Sequence, residues 1–181
     1  MTDQVLHRHQ SFPVDNLSYV GVGALGGTRD HFSQFICRGI ANQKLENKAR
    51  ESFEKLISRR LTREPLAYIT GHREFFSLDL ELTPDVLIPR QETELLVEAV
   101  IEYGRAHPHP ITVADVGTGS GCIAIAIAIA LPSATVLATD LSTRALKIAQ
   151  RNCLKHHVED RVHLLEGDLL NALDRPVDVV V

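Results

Sequence analysis

Three glycines alternate with small hydroxylated residues in Asp115-Val116-Gly117-Thr118-Gly119-Ser120-Gly121, with an apolar run before them and another after. Glycine is needed where a backbone turns sharply and where a ligand must approach it without meeting a Cβ. Set between a strand and a helix, such a bend also offers the unpaired N–H groups of the helix's first turn. The chemistry on offer is the holding of a nucleotide-like cofactor. The spacing is wrong for a dinucleotide: counted from Gly117, the third position of G-x-G-x-x-G/A falls on Cys122, and Gly121 comes one residue early. Two further acidic positions follow apolar runs, Asp140 and then Asp168 within Glu166-Gly167-Asp168-Leu169. Taken singly, Asp115, Asp140 and Asp168 also read as helix caps or solvated loop acids.

These residues need a scaffold that brings strand ends together. Ile111–Val116, Thr135–Thr139, Val162–Leu165 and Val177–Val181 have strand length, and the intervening segments are long enough for crossovers. The pattern predicts an α/β fold with a parallel sheet. Ile123–Ala130 alternates Ile with Ala like a strand, but it bridges two consecutive parallel strands and is expected to be a buried helix. Upstream, Leu45, Ala49, Phe53, Leu56, Ile57 and Leu61 recur at helical spacing until Pro65, and Phe32, Phe35, Ile36 and Ile40 predict a shorter helix before them. Period-two alternation from Phe76 to Thr83, a Pro84-Asp85 turn and Val86–Ile88 predict a hairpin, followed by a helix over Glu92–Tyr103 stopped by Gly104. The expected organisation is an irregular tail at 1–30, a small helical domain at 31–72, a β-hairpin linker at 73–90 and a truncated α/β domain at 91–181.

Composition narrows the function. The 181 residues carry 19 Lys plus Arg against 23 Asp plus Glu, a net charge of −4, whereas a chain whose business is gripping phosphate backbones is usually basic. No direct nucleic-acid substrate is expected. The basic run Lys48, Arg50, Lys55, Arg59, Arg60, Arg63 reads as a wet helix face. Cys37, Cys122 and Cys153 are odd in number and far apart, which predicts neither a disulfide framework nor a zinc site and fits a reducing, cytoplasmic compartment. The pairs His7/His9, His107/His109 and His156/His157 lack supporting ligands, and no metal is expected. The apolar core at Cys122–Leu131 is too short to span a membrane. Gly21-Val22-Gly23-Ala24-Leu25-Gly26 fits the dinucleotide pattern literally but has no strand and acid in the right places, and it reads as coincidence.

The acid-x-Gly-x-Gly-x-Gly pattern resembles the nucleotide loop of S-adenosylmethionine-dependent methyltransferases. On that resemblance Asp115, Gly117, Thr118, Gly119, Ser120 and Gly121 shape the cofactor loop, Asp140 accepts the ribose hydroxyls, and Asp168 and Leu169 meet the adenine amino group and ring. A second likeness is more specific. Glu64-Pro65-Leu66-Ala67-Tyr68-Ile69-Thr70-Gly71, Arg73-Glu74-Phe75-Phe76 and Pro84-Asp85-Val86-Leu87-Ile88-Pro89-Arg90-Gln91-Glu92-Thr93-Glu94-Leu95-Leu96-Val97-Glu98 resemble the release factor glutamine methyltransferases from about Leu56 onward. Family members typically show Pro where Gln91 stands, with Arg90 and Glu92 kept. The resemblance implies a Rossmann-like methyltransferase sheet, here its first four strands, behind a helical domain and hairpin linker. It also implies a peptide chain release factor as protein partner, methylated on a Gly-Gly-Gln glutamine.

In that family an Asn-Pro-Pro-Tyr segment follows the fourth strand, and Val177–Val181 looks like that strand. The sequence therefore reads as a fragment ending before the segment. No catalytic residue is nominated, and methyl transfer by residues 1–181 alone is not expected. Two other readings remain open, a cofactor-binding regulatory remnant and an adenine amino-methyltransferase on nucleic acid. The acidic charge and the linker motif disfavour the second.

Overall fold

The computed structural model describes residues 47–181, of which 54–181 form one compact unit. The expected tail, the short helix over Phe32–Ile40, the Gly21–Gly26 pattern, His7/His9 and Cys37 lie outside the described residues. Helix α1, Asn47–Leu61, ends where predicted. Arg63 turns the chain at φ 66°, while the Arg59 guanidinium pairs with the Glu64 carboxylate and Arg60 donates to the Glu64 carbonyl at 3.0 Å. Part of the basic face is thus a local clasp. Helix α2, Leu66–Thr70, is stopped by Gly71 at φ 76°, whose N–H returns to the Ala67 carbonyl.

The linker contains a hairpin, but one strand further upstream than the sequence reading places it. Strand β1, His72–Phe75, pairs antiparallel with β2, Leu78–Glu81, and Val86–Ile88 is not a strand. Pro84 and Pro89 lack backbone N–H donors, and each restricts the residue before it, so the segment they bracket is poorly suited to a ladder. The true turn is Phe76-Ser77, with φ 51° and 62°. Positive φ at both central residues is the type I′ condition, which normally calls for Asn or Gly. A bulky residue there escapes sequence recognition, and the turn is held from outside by the Glu94 carboxylate, which accepts the Phe76 N–H at 2.9 Å.

After a 3-10 turn at Gln91–Thr93 comes α3, Glu94–Ala106. Gly104 lies inside this helix and does not terminate it, contrary to expectation. A Cβ at Gly104 would sit 2.6 Å from Leu131 Cδ1 and 3.0 Å from Ile111 Cδ1, so this glycine permits close packing. The sheet then follows as β3 (Thr112–Val116), α4 (Cys122–Ala130), β4 (Thr135–Asp140), α5 (Thr143–His156), β5 (Val162–Glu166) and β6 (Val179–Val180). Its order is β5-β4-β3-β6, all parallel. That is the first half of a doubly wound, Rossmann-like sheet, with the strand order reversing between β3 and β6.

Val113, Val136 and Val162 stand in register on one face, packed with Val97, Val100 and Ile101 of α3 and Ala124–Ala128 of α4. Burial of every residue from 124 to 128 explains why the Ile/Ala alternation misleads. A helix apolar all round carries no amphipathic signature, and burying each isoleucine contributes about 2 kcal/mol whatever the period. Among the described residues no helix is long and apolar enough to cross a membrane, and no cluster of His, Cys, Asp or Glu could hold a metal.

Helix α5 carries the hairpin. Ala145 and Ile148 pack with Leu82 and Val86, and a row of polar contacts runs beside them. Arg144 meets Asp85 at 3.3 Å, Arg151 meets Glu81 at 2.7 Å and Lys155 meets Asp79 at 2.7 Å. The linker is therefore fastened along a helix of the sheet domain.

Among the described residues, one buried hydroxyl is left without a hydrogen-bond partner. Thr139 is 0% exposed between Val116 and Leu165, and its hydroxyl makes no hydrogen bond. An unpaired buried hydroxyl costs roughly 1–3 kcal/mol, and valine has the same branched shape. Thr139→Val is expected to raise the unfolding free energy by about 1 kcal/mol in urea melts. A less stable variant would show that the hydroxyl is satisfied in solution.

Candidate functional site

The glycine loop leaves β3 and enters α4 in five residues, and the three glycines divide the work. All three are left-handed, with φ 77°, 57° and 81° at Gly117, Gly119 and Gly121. A Cβ at Gly117 would meet nothing within 4 Å, and one at Gly119 only the Gly117 carbonyl at 3.9 Å. Those two faces are open. At Gly121 a Cβ would meet Ile125 Cδ1 at 3.1 Å and the Ala149 Cβ at 3.3 Å. Gly121 therefore caps α4 and lets α5 pack close to it.

The loop is stitched to the neighbouring strand ends. The Gly117 and Thr118 N–H groups both donate to the Thr139 carbonyl, at 2.8 and 2.9 Å. Asp140 accepts the Gly119 N–H at 2.9 Å on Oδ2 and the Ser142 N–H at 2.8 Å on Oδ1. The Asp140 carbonyl in turn accepts the Gly167 N–H at 3.1 Å. Loop, Asp140 and the Gly167-Asp168 corner thus form a continuous rim at the carboxyl edge of β3, β4 and β5, where open α/β sheets take their ligands.

Each predicted residue has a place on or under that rim. Gly117 and Gly119 present bare backbone, and partly buried Asp140 bridges the loop to the start of α5. Asp168 is exposed with no capping bond from its side chain, and Leu169 is 64% exposed at φ 51°. A left-handed leucine is strained, and the strain holds an apolar side chain out beside Asp168. Thr118 and Ser120 are buried and line the inside of the bend.

Asp115 lies beneath the loop, 2% exposed. Its Oδ2 accepts the Thr118 hydroxyl at 2.7 Å and the Ala124 N–H in the first turn of α4 at 3.2 Å. The residue braces the bend and caps the helix at once. Burial pushes its carboxyl from the ordinary 3.8 up to about 6, against the pull of the Thr118 and Ala124 bonds, with a further upward contribution from Asp140. Burial likewise lifts the Cys122 thiol to about 11 and the Cys153 thiol to about 12, so neither is a ready nucleophile. His107 stacks on Tyr103 with ring centroids 3.8 Å apart and bonds the Tyr103 carbonyl at 2.7 Å, a structural role.

Two residues of the site escape the sequence reading. Leu141 is 72% exposed directly after Asp140, an apolar side chain at the rim. Asn152 is 0% exposed and donates to the Ser120 carbonyl at 2.9 Å. A signal for it was present, since Ala145, Ile148, Ala149, Asn152 and Cys153 form one helical stripe and asparagine is its only polar member.

Comparison with known proteins adds to this geometry. Residues 91–181 match the family described as "Ribosomal protein L11 methyltransferase (PrmA)", and residues 34–71 match "PrmC N-terminal domain". A release factor glutamine methyltransferase of Moorella thermoacetica is 51% identical over 132 residues, covering 72% of this chain and 46% of the relative. One from Burkholderia pseudomallei is 45% identical over 157 residues, covering 83% and 52%. The chain thus spans about half the length of these relatives. A solved ribosomal protein L11 methylase from Lactobacillus delbrueckii subsp. bulgaricus is 37% identical, with a TM-score of 0.43 over 50% of this chain and 45% of that one.

The Asp115 carboxyl gives a pH test. With its folded pKa near 6 and its unfolded value near 3.8, the native state binds the extra proton, so stability from this group falls as pH rises between those values. The full fall is about 3 kcal/mol. Both hydrogen bonds reach one oxygen, so Asp115→Asn can keep them. The stability of the Asn variant relative to wild type, from urea melts, is expected to rise between pH 4 and pH 6 and level off above. A difference that does not change with pH would remove the raised pKa.

Proposed function

The chain belongs to the release factor glutamine methyltransferase family, and on that premise we propose that its sheet edge holds S-adenosylmethionine for methylation of a glutamine side-chain amide in a peptide chain release factor. The observation that carries this reading is the open bend at Gly117 and Gly119 with Asp140 bonded across it. The cradle would be filled by a side chain at either glycine, so the residues present fit a ligand lying against backbone. Asp140 already accepts two N–H groups, and a carboxylate has about four acceptor positions, which leaves capacity for ribose hydroxyls. Leu169 and Leu141 supply apolar cover and Asp168 an acceptor for the adenine amino group.

Bound there, the cofactor supplies an electrophilic methyl group. An amide nitrogen is a weak nucleophile because its lone pair is delocalised, so the acceptor has to be held in line and its hydrogens accepted as charge develops. The residues named here bind and orient the nucleoside; none is assigned to the amide. In the same proposal residues 31–72 form the helical module that meets the release factor, 73–90 the hairpin linker and 91–181 the transferase part, working in the cytoplasm. The match of residues 34–71 supports the first of these.

Calorimetric titration with S-adenosylmethionine tests the reading. Asp140→Ala, which removes one or two charge-assisted hydrogen bonds, and Gly119→Val, which fills the open face of the bend at a left-handed position, are each expected to weaken binding by tenfold or more. Unchanged affinity in both would end the proposal.

The glycines give an internal comparison. Gly117→Ala and Gly121→Ala share the left-handed penalty of roughly 1–2 kcal/mol, but at Gly117 the added methyl group meets no protein atom, so cofactor binding is expected to weaken beyond that shared loss of stability. Gly121→Ala should do the reverse, lowering the melting temperature through its contacts with Ile125 and Ala149.

A further inference from the structure

Asn152 uses its side-chain amide on two separate elements. Oδ1 accepts the Glu81 N–H at 2.7 Å, and Nδ2 donates to the Glu81 carbonyl at 3.0 Å. The second hydrogen of Nδ2 reaches the Ser120 carbonyl at 2.9 Å. The amide thus pairs with β2 as a neighbouring strand would, and it also fixes a carbonyl between the second and third glycines of the cofactor loop. Its orientation is dictated: reversed, its oxygen would face two carbonyl oxygens.

The residue is completely buried, so a movement of either element leaves polar groups unpaired out of reach of water. The loop's hydrogen bonds to Thr139, Asp140 and Asp115 do not reach the hairpin. The ion pairs of Arg144, Arg151 and Lys155 fasten the hairpin to α5 without touching the loop. We propose that Asn152 is a positioning residue that couples the seating of the β1–β2 hairpin on α5 to the conformation of the glycine loop, so that cofactor occupancy and hairpin docking strengthen each other. Coupling of this kind is reciprocal: whatever presses the hairpin home also tightens the loop on its ligand. The inference rests on the cofactor reading above and extends it to the linker.

The test is amide hydrogen exchange on the full chain, with and without S-adenosylhomocysteine as the probe. In wild type the probe is expected to slow exchange several-fold at the Glu81 and Leu82 amides as well as in the loop. Arg151→Met, which removes only an outer ion pair, should keep that remote protection. In Asn152→Leu the probe should bind about tenfold more weakly and protect the loop alone. A purely structural role would raise exchange equally with and without the probe and leave the difference intact. Probe binding to wild type without protection at Glu81 and Leu82 overturns the coupling while sparing the cofactor reading, and this arm decides even if Asn152→Leu fails to fold. Protection at Glu81 that survives in Asn152→Leu also overturns it. No probe binding to wild type overturns both.

Discussion

The arrangement depends on one backbone constraint, the passage from β3 to α4 through three left-handed residues in five. L-residues pay roughly 1–2 kcal/mol each for that conformation, so glycine at all three positions is what lets the bend exist. Its direction is then set by neighbours. Two N–H groups reach the Thr139 carbonyl, one reaches the Asp140 carboxylate, and Asp115 ties Thr118 to the first turn of α4. A loop held at that many points is preorganised, so a ligand lying on it need not supply the ordering. The open faces at Gly117 and Gly119 are the parts of the bend that no protein atom uses.

Buried polar groups carry much of the definition around the bend. Asp115 accepts two hydrogen bonds while buried from water, and its raised pKa reflects the cost of keeping a carboxylate there. Asn152 does related work without charge. Together they fix the two sides of the loop, Asp115 at Thr118 and Asn152 at Ser120, and the three glycines are held between fixed carbonyls and amides.

Much of the fold was legible because parallel strands buried on a face leave short apolar runs that need no fine pattern. The four strands lie within two residues of where their runs predict them. Family likeness and loop spacing located the glycine bend and the acids at the next two strand ends. What sequence hid had local physical causes. The hairpin turn at Phe76-Ser77 carries neither the Asn nor the Gly that positive φ calls for, and Glu94, distant in sequence, holds it instead. Gly104 looked like a helix stop, yet it serves close packing against Leu131. Asp115 was legible as a loop acid, but its burial, and hence its role as a brace, emerged only from the packing of α4 over it.

The way the hairpin is attached explains why an uncharged amide occupies position 152. The side chains of the outer ion pairs are between 34% and 78% exposed, so each contributes at most about 1 kcal/mol and weakens as salt rises. Such pairs can set register along α5 but cannot transmit a small displacement, because water replaces them cheaply. A buried charge would transmit it, yet its desolvation would cost several kcal/mol unless fully compensated. An amide with both donors and one acceptor engaged avoids that cost and still penalises any gap opening between β2 and the loop. Among the described residues, Asn152 therefore joins the linker to the glycine loop by hydrogen bonds that neither salt nor solvent can easily replace.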